Sequence, residues 1–145
     1  MNERTPEQRQ HMLDVANAIN THPDNFDMTE VLGVGTCGSV ACIAGWSDAL
    51  SWKIDMTQDN DDFIGDVERG PDGKVLTYWQ RFAVRSGLSN VDSRLLCGYC
   101  GIGAAEAMPA HLRAKGIADA LRQIADGAHF QDALNDVVDR YGSEA

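Results

Sequence analysis

Apolar side chains recur at helical spacing in several separate stretches of this chain, and polar turn residues divide them. Met12, Val15, Ala16 and Ile19 define one face of a first helix, which Thr5 caps, Pro6 opens and Gln8 closes as a capping box. His22-Pro23 stops it, because the residue before proline avoids helical geometry. Residues 24–36 read as a loop anchored by Phe26, Met28, Val31 and Leu32. Ser39 is the expected N-cap of a second helix to about Trp52, with Val40, Ile43, Ala44, Trp46 and Leu50 as its apolar surface. Gly70-Pro71-Asp72-Gly73 is dense in turn residues and allows a hairpin pairing 63–68 with 74–77. Thr77 caps a helix carrying Tyr78, Trp79, Phe82 and Val84 that ends near Gly87, and Ser89 opens a short one carrying Leu95 and Leu96. Gly98, Gly101 and Gly103 then interrupt the pattern around Tyr99 and Cys100. The clearest helix of the second half runs over 110–125, with Ile117, Ala118, Leu121 and Ile124 inward and Gly127 as its stop. A last helix, 131–141, turns Ala133, Leu134, Val137, Val138 and Tyr141 inward. The fold expected is mostly α: a single domain over 1–145, of five or six short helices with room for one small β-hairpin.

Composition narrows the function. The 145 residues are 43% hydrophobic, enough for one core and too many for a fully disordered chain. No apolar run approaches the roughly 18 residues that span a bilayer. The polar start, Met1 to Gln10, lacks a signal core, so nothing suggests secretion and no membrane association is expected. A formal charge of −10 argues against direct nucleic-acid binding.

That charge is uneven. Residues 55–72 hold seven acids against Arg69 alone, whereas 73–125 carry more basic than acidic side chains. Asp59, Asp61, Asp62 and Asp66 in the first acidic stretch, with Asp132, Asp136 and Asp139 along the last helix, are the candidate protein-binding residues. Such a surface suits a non-enzymatic binding module whose partner presents a basic face.

The cysteines offer other chemistry. Cys37 and Cys42 form C-G-S-V-A-C, and Cys97 and Cys100 form C-G-Y-C. Four thiolates from two close pairs could hold a structural zinc tetrahedrally, which makes Cys37, Cys42, Cys97 and Cys100 the candidate metal ligands. C-G-Y-C also has the spacing of a redox pair, but the helical sequence before it and the glycines after it do not suit a thioredoxin-like setting. Ordinary buried thiols in a reducing compartment are the third reading. The stretch from Cys37 to Trp46 resembles the nucleophile helix of papain-like hydrolases, a reading that needs His111 or His129 as the base. Gly33-Val34-Gly35-Thr36-Cys37-Gly38 spells G-x-G-x-x-G, but no strand–turn–helix context supports a dinucleotide site. The acids of 55–72 do not match calcium-loop spacing.

Phe26-Asp27-Met28, followed by Cys37-Gly38-Ser39-Val40-Ala41-Cys42-Ile43-Ala44-Gly45-Trp46, resembles a loose group of small phage and bacterial proteins with a C-G-[ST]-x-x-C-I-A-G stretch. The likeness covers 26–46, and Cys97 and Cys100 lie outside it. It implies a phage-linked or mobile-element accessory protein acting in the bacterial host cytosol; with its acidic surface such a protein would bind a host or phage protein and interfere with a host defence or nucleic-acid-binding protein. The motif marks the group and carries no activity to transfer.

Overall fold

The computed structural model describes residues 4–28, 33–35, 38–56 and 73–142, of which 33–35 and 38–40 are described as backbone only. Among these residues the chain forms seven α-helices, two 3₁₀ turns and one two-stranded antiparallel ribbon. The mostly α reading holds. Helix α1 (Pro6–Thr21) begins at the expected capping box: Thr5 Oγ1 accepts from the Gln8 amide at 3.1 Å, and the Thr5 amide donates to Gln8 Oε1 at 2.9 Å. Its buried face is Met12, Val15, Ala16 and Ile19, all with no exposed surface. A 3₁₀ turn, Pro23–Asn25, follows the helix-stopping proline.

Strands β1 (Gly33–Gly35) and β2 (Gly38–Val40) pair with Gly33 opposite Val40 and Gly35 opposite Gly38. This moves the expected start of the next helix. The residues from Gly38 to Val40 are claimed by backbone pairing, so α2 (Ile43–Trp52) begins after Cys42 rather than after Ser39. The hairpin expected over 63–68 and 74–77 falls largely outside the described residues.

Helices α3 (Tyr78–Ser86) and α4 (Asn90–Cys97) start at the predicted caps, Thr77 with Gln80 and Ser89 with the Asp92 amide. Gly87, at φ +78°, closes α3 in the left-handed region that favours glycine. Helix α5 (Tyr99–Glu106) lies where three glycines predicted a break. A Cβ on Gly101 would collide with the Leu96 carbonyl and come within 2.7 Å of Met28 Cε, so this glycine admits neighbouring chain rather than ending a helix. A short 3₁₀ turn, Ala110–Leu112, leads into α6 (Arg113–Ala125), and α7 (Phe130–Gly142) completes the chain described.

One hydrophobic cluster joins these elements. Helix α1 packs on α2, α3 and α6, while α7 packs on α5 and α6. Ile117, Leu121, Ile124 and Val137 are fully buried between them. One charged group also lies inside. The Asp48 carboxylate on α2 accepts from Arg81 Nε at 2.8 Å, Arg81 Nη2 at 2.7 Å and Arg85 Nη1 at 2.6 Å. Both guanidinium groups lie over the Trp52 ring, 4.9 and 5.6 Å from its centroid. Beside them Ser47 Oγ, fully buried, accepts from Arg85 Nη1 at 3.1 Å and shares a 2.7 Å hydrogen bond with His11 Nε2. These polar groups are partnered, as burial requires.

Candidate functional site

The segment after α1 is held open as a wall. Its fastener is Asn25, which is nearly buried. The Asn25 side-chain amide donates to the Met56 carbonyl at 3.1 Å, and its backbone carbonyl accepts from Trp46 Nε1 at 3.1 Å and from the Ala41 amide at 3.0 Å. Asp27 N donates to the Ala41 carbonyl at 3.0 Å, and Phe26 pairs with Ala41 as a parallel bridge. His22 stacks on the Trp46 ring at 5.7 Å.

Between this wall and α5 lies a cavity of about 550 Å³. Phe26, Met28, Ile102, Ala105 and Ala114 give it apolar surface, and Asp24, Asp27, Glu106, His111 and Arg113 also line it. Arg113 Nε donates to the carbonyls of Ala105 at 2.7 Å and Met108 at 3.2 Å, which satisfies the end of α5. A second depression, about 450 Å³, lies on the other side of α5, against α7. Gly103, Ala104 and Ala107 form one side, and Gln131, Leu134, Asn135, Val138 and Asp139 the other. Helix α5 is therefore a ridge between two depressions, each with apolar surface and at least one carboxylate.

The acids predicted on the last helix are placed on α7. Asp132, Asp136 and Asp139 are all exposed, and Asp139 enters the second depression. Asp136 accepts from Gln123 Nε2 at 2.8 Å and from Arg140 Nε at 2.9 Å. The Gln123 hydrogen bond, helped by the Arg140 charge and its hydrogen bond, holds the Asp136 carboxyl below the usual carboxylate range. Asp59, Asp61, Asp62 and Asp66 lie outside the described residues.

The cysteines are brought together only in part. Cys42 precedes the first turn of α2 and Cys97 ends α4, and both are buried in the core. Burial pushes the Cys42 thiol up; the first-turn amides of Gly45 and Ala44 pull the other way without a geometrically complete capping bond. Burial pushes the Cys97 thiol well up, and the charge of a Cys42 thiolate beside it would add to this. Ser93 Oγ, 4.0 Å from Cys97 Sγ, opposes the rise. Cys100 is only half-buried, and Cys37 lies outside the described residues. Among the described residues no three His, Cys, Asp or Glu side chains converge as metal ligands.

A buried thiol shifted upward is the opposite of an activated nucleophile, so Cys42 does not suit the hydrolase reading. The candidate bases sit elsewhere: His111 lines the 550 Å³ cavity, and exposed His129 accepts from the Gln131 amide at 3.2 Å and packs on Phe130.

Sequence reasoning found Phe26 and Met28 as anchors of a loop but not the cavity they line. Its walls come from 23–28, 102–106 and 110–114, segments with no shared pattern. The available signal was the crowding of acids and apolar anchors in Asp24-Asn25-Phe26-Asp27-Met28. No helix among the described residues is long and apolar enough to cross a membrane. No family model, curated protein or solved structure matches the chain.

Proposed function

We propose that this chain is a non-enzymatic binding module that docks a basic surface of another protein onto the α5–α7 face. One observation carries the reading: α5 stands between two depressions that combine apolar surface with the carboxylates of Asp24, Asp27, Glu106 and Asp139. Asp132 and Asp136 extend the negative surface along α7. Apolar floors supply contact area, and the acids supply steering and selection of a positive partner. The resemblance over 26–46 supports a phage or mobile-element accessory role, with a host defence or nucleic-acid-binding protein as target.

The test uses the full chain as bait in bacterial lysate, with D132N/D136N/D139N as its control. A partner retained at about 50 mM salt, released at about 500 mM and absent from the triple variant is the expected result. Capture that ignores both salt and the three substitutions refutes the reading.

Zinc binding is a second and narrower proposal, favoured by the burial of Cys42 and Cys97 in the same core cluster. Elemental analysis tests it: one zinc per chain, lost together with Cys97→Ser, supports a site on Cys37, Cys42, Cys97 and Cys100.

A further inference from the structure

We propose that the cavity between the 23–28 wall and α5 anchors one arginine or lysine side chain from an extended basic segment of the partner. The inference rests on the binding-module reading above and names what that face grips. Its volume, about 550 Å³, falls in the range of pockets that enclose a small guest.

The lining decides which guest. Phe26, Met28 and Ile102 offer an apolar bed for a three- or four-carbon stem, the part of a basic side chain that prefers to leave water. Asp24 and Glu106 supply anionic ends for the cation, and Asp27 adds a third carboxylate to the lining. Arg113 is the opposing charge. Its Nε is already committed to the Ala105 carbonyl in the last turn of α5, where the helix dipole is negative, and to the Met108 carbonyl just beyond it, so its charge is partly offset in place. The balance of the cavity remains negative. An acidic guest would meet those carboxylates with like charge. A purely apolar guest would strip water from Asp24 and Glu106 and give nothing back. A long cationic side chain satisfies both the bed and the rim.

The probes are acetyl-arginine methylamide and its neutral counterpart acetyl-norleucine methylamide, titrated into the isotopically labelled full chain by amide NMR. The arginine probe is expected to shift amides of Asp24, Asp27, Met28 and Glu106 at millimolar affinity. The norleucine probe should bind the same residues at least about fivefold more weakly, and D24N/E106Q should weaken the arginine probe by about fivefold or more. Both substitutions are at exposed positions, and an unchanged amide spectrum elsewhere confirms that the fold is kept. Equal binding of the two probes, shifts that map away from the cavity, or indifference to D24N/E106Q overturns the proposal. The parent reading fails separately. If lysate capture still depends on salt and on Asp132, Asp136 and Asp139 while the arginine probe finds no cavity, the anchor alone is wrong. If capture ignores those three residues but the probe binds as expected, the anchor stands and the α7 surface does not.

Discussion

Replacing Asp48 by asparagine should be among the most damaging single-atom-scale changes in this chain. The carboxylate receives three charge-assisted hydrogen bonds of 2.6–2.8 Å from two guanidinium groups. The side chains of Asp48, Arg81 and Arg85 are only 6%, 16% and 11% exposed, so water does little to replace what is lost. Asparagine keeps the shape but not the charge, and its amide nitrogen points donor toward donor. Breaking a buried pair by removing one partner costs about 3–5 kcal/mol. The lower end applies here, because Arg81 Nη1 keeps the Leu76 carbonyl at 2.9 Å, Arg85 keeps Ser47 and both keep the Trp52 face. With a urea m-value of about 1.5 kcal/mol/M, a loss of about 3 kcal/mol moves the unfolding midpoint down by about 2 M. Urea titration at neutral pH, followed by helical circular dichroism, reads this directly. The triple variant D48L/R81M/R85M should recover most of the loss, since it removes the stranded charges along with their partner. A D48N midpoint within about 0.3 M of wild type would refute the reasoning, and so would a triple variant less stable than D48N.

The glycines give a paired test. Gly101→Ala should destabilise by about 1–3 kcal/mol despite a helix-propensity gain of about 1 kcal/mol, because the new methyl meets the fixed Leu96 carbonyl. Gly116→Ala should cost less, since its obstacle is the flexible end of Met108; equal urea shifts for the two would contradict this. In carboxyl-detected NMR, Asp136 should titrate below the ordinary aspartate range, and Gln123→Ala should move it back up. Because the folded value is depressed, the stabilisation from Asp136 is present above the unfolded aspartate range and is lost as pH falls through the folded value. Identical titration of Asp136 in wild type and Q123A would remove the assigned cause. Native-state alkylation should modify half-buried Cys100 before Cys97, whose thiol is enclosed and shifted upward. Mass mapping that finds Cys97 first would show that the core around this thiol is open in solution.

What could be read from the sequence follows the range of the forces involved. The caps at Thr5, Thr77 and Ser89 were legible because each is a bargain between residues three apart. The inner faces of α1, α6 and α7 were legible from their spacing, and so was the outward placement of Asp132, Asp136 and Asp139. Helix α5 was not, because Gly101 looks like a breaker until Leu96 and Met28 are seen pressed against it. The start of α2 was misplaced by a strand pairing that Ser39 does not announce. Both the cavity and the Asp48 cluster join distant segments, and no local pattern encodes such meetings.

A single residue, Asn25, ties the turn after the first helix to Met56 through its side-chain amide, and to Ala41 and the indole of Trp46 through its backbone carbonyl. Three stretches far apart in sequence are thereby riveted into one block, so that hollow is shaped before any visitor arrives. Little ordering entropy is then left to spend on capture, and selectivity falls to the few groups at its mouth.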